Sequence, residues 1–218
     1  MDSALSELSA TPLRVLVFLT ALTFVPGIIM SMTAFLRIVI VLSFTRTAMG
    51  LQQMPPNQVI VGLSVLLTYF VMAGTVDEIY TQAAAPYMAG EIDEIAMMER
   101  GAAPLRRFML DQTGEDEMAL MVNLSGVPEQ TTLDTLPMRV VVSAFIVSEL
   151  RIAFTIGFLL FIPFLVIDLS IAALLNALGM IMLPPTVVAL PFKIMIFVLS
   201  NGWALVVASL VQSFGGAR

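Results

Sequence analysis

Five ionisable side chains stand inside otherwise apolar sequence: Arg37, Glu149, Arg151, Asp168 and Lys193. A charge in an apolar helix costs at least a few kcal/mol unless it is paired, so each needs a partner or a task. Two kinds of chemistry fit such residues: fixed ion pairs that hold helices together, or a relay that carries an ion. Glu149 and Arg151 are two apart, which puts them on different faces of a helix and directs each toward a different neighbour. Asp168 and Lys193 lie on opposite arms of one candidate hairpin, near its tip, and can meet across it. Structural pairing is the preferred reading, because nothing in the sequence favours a proton path.

Other chemistries lack their residues. The chain has no cysteine and no histidine, which removes thiolate and imidazole metal sites, His-based triads and cysteine redox chemistry. It has no phosphate-binding glycine loop and no nucleophile with its base. The acidic tract Glu115, Asp116 and Glu117 lacks the spaced ligands and glycine of a calcium loop, and reads as the solvated start of a helix. No catalytic residue, metal, cofactor or nucleic-acid partner is expected.

One loop is unusual for the opposite reason. From Gly179 through Met180, Ile181, Met182 and Leu183 to Pro184 and Pro185, a turn between two apolar helices carries no charge. A turn that meets water normally presents polar residues, because its backbone groups have lost their helical partners. Thioether side chains are flexible and polarisable, so they adapt to irregular or shifting partners. The four residues Met180 to Leu183 are either filler against a neighbour or, repeated around an axis, an apolar seal that yields to a passing chain. Dewetting of such a ring opposes small-ion leakage.

The elements that must position these residues are membrane helices. The chain is 59 % hydrophobic and 12 % charged, with mean hydropathy +0.98, whereas soluble domains carry about a quarter charged residues. Uncharged stretches cover 15–36, 47–76, 152–167, 169–192 and 194–217, several of them near the ~20 residues that span hydrocarbon. None alternates with the period of two that a membrane barrel requires. Membrane lipid is therefore an expected partner.

Two apolar helical hairpins, 1–76 and 137–218, flank an acidic insert, 77–136. Each hairpin has a long arm, a Pro-Pro breaker (Pro55 and Pro56; Pro184 and Pro185) and a second helix, expected over 58–76 and 187–210. Each long arm holds an internal proline, Pro26 or Pro163, where the missing N–H and the ring clash are expected to kink or break the helix. This makes a weak internal repeat. At ~1.5 Å per residue the second arm, 137–178, would extend about 60 Å, twice the hydrocarbon thickness, so it breaks, re-enters or runs beyond the bilayer. Ala153, Gly157 and Gly202 permit close helix approach.

The insert holds twelve acids against three arginines, so the rest of the chain is net positive. Small helices are expected there: one over 91–100 stopping at Gly101, one starting at Pro104, and one capped by Thr113. With few basic residues the insert belongs on the outer side. Arg37 and Arg46 are read as flanking the first tip, which favours tips inward. No basic n-region with an h-region and cleavage site opens the chain, so no signal peptide is expected.

Several motifs together match one family. Residues 31–40 (SMTAFLRIVI), 55–59 (PPNQV), 143–150 (SAFIVSEL) and 190–193 (LPFK), with Asn201-Gly202-Trp203, resemble the FliP family over about 18–214. The resemblance implies an all-α inner-membrane protein that assembles as a homopentameric ring and joins FliQ and FliR, with FlhB and FlhA nearby. It implies the export gate of the flagellar type III secretion apparatus, which passes unfolded proteins. The family's methionine constriction maps onto Met180, Ile181 and Met182, with Ile181 departing from the common methionine. An injectisome counterpart is the alternative within this resemblance. A small-solute secondary transporter, suggested by broken hairpins with midplane charges, is the rival from another class. A scaffold whose pore belongs to other subunits is a third reading.

Overall fold

The computed structural model describes residues 19–215 except 21–22, 24–26, 28–29, 52, 128–131 and 181. Every regular element among the described residues is helical: α1 Phe35–Ala48, α2 Asn57–Ile79, a π-turn Tyr80–Ala84, α3 Ala85–Met88, α4 Glu94–Gln112 and α5 Glu115–Ser125. A short 3-10 turn Leu133–Thr135, α6 Met138–Ala177, α7 Pro185–Leu199 and α8 Gly202–Gly215 complete the order.

Helix α1 is apolar on all sides and accordingly buried: Ile38, Val41 and Leu42 are wholly inaccessible, as expected for a helix without a polar face. It packs chiefly on α6 and on α2. Ala153 and Gly157 of α6 make the α1 crossing close; a methyl at Gly157 would lie 2.6 Å from the Phe44 ring. A core of α1, α6, α7 and α8 residues, including Phe164, Phe197, Val206 and Leu210, fills the hairpin body. A second core, with Met109, Met118, Val141 and Phe145, joins the insert to the start of α6.

Two uninterrupted helices, Asn57–Met88 and Met138–Ala177, are long and apolar enough to cross a membrane. Helix α6 has 40 residues and passes straight through Pro163, so the break expected there does not occur. A proline removes one backbone hydrogen bond, whereas ending a helix among apolar surroundings strands several groups. The same reasoning carries α7 through Pro191. Pro26 lies outside the described residues.

The interruption in the second hairpin falls instead between α7 and α8, which bend by 64°, where one helix over 187–210 was expected. Asn201 adopts a left-handed conformation, φ 52°, one that asparagine tolerates better than most residues. In the insert, α2 does not stop at Val76 but continues to Met88. Gly101 and Pro104 both lie inside a single α4, and Thr113 closes α4 rather than capping the next helix. Its hydroxyl donates to the Met109 carbonyl, while Gly114 occupies the cap of α5.

Candidate functional site

The two hairpin tips share one backbone solution. After α6, Gly179 is left-handed at φ 71°; its N–H donates to Asn176 O at 3.1 Å and the Met180 N–H to Leu175 O at 2.9 Å. After α1, Gly50 is left-handed at φ 78°, with Gly50 N–H to Thr47 O at 2.9 Å and Leu51 N–H to Arg46 O at 3.3 Å. Both are Schellman caps, which satisfy the last orphan carbonyls of a helix and need a residue without a Cβ penalty. In each tip the Pro-Pro pair follows five residues after the glycine: Gly50 to Pro55 and Pro56, Gly179 to Pro184 and Pro185. Pro56 and Pro184 then cap the returning helices.

The side chains differ. At the first tip Arg46 Nη1 donates to Asn57 Oδ1 at 2.6 Å and to Pro55 O at 3.2 Å, tying its two ends together. The corresponding positions at the second tip are Leu175 and Thr186, which cannot form that tie. What remains there is backbone, with Leu183 N–H reaching Met180 O at 3.4 Å. Met182 is 98 % exposed, and Met180 and Leu183 are also exposed. Ile181 lies outside the described residues.

Beneath the tips, Lys193 Nζ of α7 donates to Asp168 Oδ2 of α6 at 2.5 Å and to Ala48 O of α1 at 3.4 Å. The first contact joins the arms of the second hairpin; the second caps a terminal carbonyl of the first, where a cation also complements the helix dipole. One ammonium thus fastens tip to tip. A cleft of about 590 Å³ lies between them, lined by Ala48, Gly50, Phe164, Asp168, Val187 and Leu190 among others.

At the opposite end of α1, Arg37 is buried and fully engaged. Nε donates to Glu149 Oε2 at 2.8 Å and Nη2 to Glu149 Oε1, a bidentate fork suited to a carboxylate. Nη2 also reaches Gln112 Oε1 at 3.2 Å, and Nη1 donates to Ser213 O and Oγ at 3.1 Å. The guanidinium lies 3.9 Å from the centre of the Phe214 ring, and Gln112 Nε2 donates to Phe214 O. This node gathers α1, α4, α6 and the end of α8. Arg37 therefore does not flank the first tip, and Arg46 alone is the tip arginine.

Arg151 pairs with Glu117 of α5 at 2.7 Å. Glu149 and Arg151 thus have separate partners on other helices, and Asp168 meets Lys193 across its hairpin. Sequence reasoning missed Gln112, Ser213 and Glu117 as partners, and Gly50 as the counterpart of Gly179. The equal spacing from each glycine to its Pro-Pro pair was the available signal.

The FliP family model matches residues 18–210. The chain is 50 % identical to the flagellar biosynthetic protein FliP of Pectobacterium carotovorum subsp. carotovorum over 92 % of its own length and 78 % of that protein. It is 45 % identical to the flagellar biosynthetic protein FliP of Bacillus subtilis, over 94 % of this chain and 93 % of that one. With the Aquifex aeolicus flagellar biosynthetic protein FliP the identity is 46 %, over 93 % and 85 %. A match of this breadth, spanning both capped tips and all three ion pairs, shows that the chain belongs to the FliP family.

Proposed function

We propose that this chain is the pore-forming subunit of a flagellar type III export gate, passing unfolded flagellar proteins across the inner membrane during flagellum assembly. The observation that carries the reading is the second tip: a backbone fixed by its cap, carrying Met182 almost wholly exposed and without the side-chain tie that closes the first tip. Such a loop has soft apolar side chains with no partner inside its own subunit, as a seal shared among copies requires. Five copies around an axis, joined by FliQ and FliR with FlhB and FlhA nearby, would bring the methionines together. The insert and the N-terminus then face the periplasm, in keeping with the acidic charge of the insert.

The chain acts here as a structural and transport component, and energy comes from its partners. The flagellar names of the relatives favour this reading over an injectisome gate. The carrier reading asks for an ionisable group that can change partners, and the Arg37 node, with its five hydrogen bonds to protein groups, is built as a fixed joint. Replacing Met180, Ile181 and Met182 together by alanine tests the seal: small-solute leakage should rise while the complex still assembles. Normal tightness together with normal export would remove the seal from the mechanism.

A further inference from the structure

Exposed apolar side chains on α2 and α6 suit helices that meet lipid or other membrane protein, but the acidic insert has no such excuse. Two apolar patches stand out on it. One is the start of α4, where Ile95 and Met98 share a face one turn apart and are 70 % and 65 % exposed, flanked by Glu94 and Glu99. The other is a cleft of about 270 Å³ between α5 and the start of α6, lined by Met121, Leu124, Ser125, Arg139, Val140 and Ser143. Leu124 is 72 % exposed at this cleft.

The patches differ in shape and in charge. Arg139 is exposed and has no side-chain partner among the described residues, and neither has Glu94 or Glu99. The first half of α4 packs on the Tyr80–Ala84 turn, whereas α5 packs on α6, so ridge and cleft belong to separate surfaces of one protomer. A ridge rimmed by acid and a cleft rimmed by a free guanidinium fit each other rather than themselves. That is the requirement for a heterologous contact, which closes into a ring when its rotation permits.

We infer that neighbouring copies join head to tail at the insert, Ile95 and Met98 of one copy entering the Leu124 and Val140 cleft of the next, with Glu99 facing Arg139. This deepens the ring reading above and rests on it. Because the chain has no cysteine, Ile95→Cys and Leu124→Cys can be introduced together into the full chain and oxidised in its membrane complex. A ladder of disulfide-linked multimers is expected from the double variant and monomers only from each single one. Adding Arg139→Glu should lower the ladder yield several-fold, and adding Glu99→Arg with it should restore the yield. The mass of the detergent-extracted parent complex is measured alongside. A ring whose double variant gives no ladder, or a dimer from Ile95→Cys alone, overturns this contact and leaves the ring standing. Absence of any ring in the parent overturns the underlying reading and the contact with it.

Discussion

The two hairpin tips have the same backbone and opposite chemistry. Both end their first helix in a left-handed glycine with the same pair of capping hydrogen bonds, and both restart after Pro-Pro. Between those fixed points the first carries Gln52, Gln53 and Met54, closed beneath by Arg46 and Asn57. The second carries Ile181, Met182 and Leu183, with no side-chain tie. The cap therefore sets where a tip stands, and the residues between glycine and proline set what it does there. A polar, tied tip is a static corner; an apolar, untied one is free to conform to something outside its own subunit.

The largest disturbance should come from the joint that holds both hairpins. Arg37→Met strands Glu149 in the core, and loss of one partner of a buried pair costs about 3–5 kcal/mol; melting of the purified protein should show both hairpins destabilised together. The double change Arg37→Met with Glu149→Leu should be distinctly milder, because no buried charge is left unpaired. Next is Lys193→Met, which breaks the Asp168 pair and uncaps Ala48 O. Asp168 keeps some contact with solvent, so a loss of about 2–3 kcal/mol is expected, below the buried-pair range. Proteolysis should then reach the first tip as well as the second, since the lysine touches both. A cleavage change confined to the second hairpin would break the claim that the tips are fastened to each other.

Smaller still are Gly50→Ala and Gly179→Ala, each expected to cost about 1–2 kcal/mol because a Cβ is disfavoured in the left-handed region. Equal destabilisation, read by unfolding, would sharpen the comparison by showing that the caps are energetically equivalent. A cost at only one tip would show that the shared geometry is not a shared requirement.

Much of this arrangement was legible before the structure. The 40-residue α6, the Asp168 and Lys193 pairing and the separate partners of Glu149 and Arg151 follow from apolar run length and helical spacing. The misses share a cause: local breaker rules were applied where tertiary context decided. Pro163, Gly101 and Pro104 carry the signals of helix ends, yet each lies within a helix whose continuation satisfies more backbone than a break would. Asn201, which does end a helix, looked like one polar residue in an apolar run. The Arg37 node brings together α1, α4, α6 and α8, positions 37, 112, 149 and 213, and no periodicity within one element reports such a meeting. The tips were partly readable, since Pro-Pro announces the restart, but the equivalence of Gly50 and Gly179 emerges only from their matched φ angles.

The smallest expected effect on stability accompanies the most direct test of function. Ile181→Gln with Met182→Gln gives the second tip the polar residues of the first, and it should change unfolding by no more than about 0.5 kcal/mol, as for exposed substitutions generally. Small-solute leakage through cells carrying the assembled complex is the measurement. It should rise clearly in this variant and stay at the parent level for the reciprocal Gln52→Ile with Gln53→Met. Tight membranes in both, or leakage from the first-tip exchange alone, would contradict the assignment of the seal to the methionine tip.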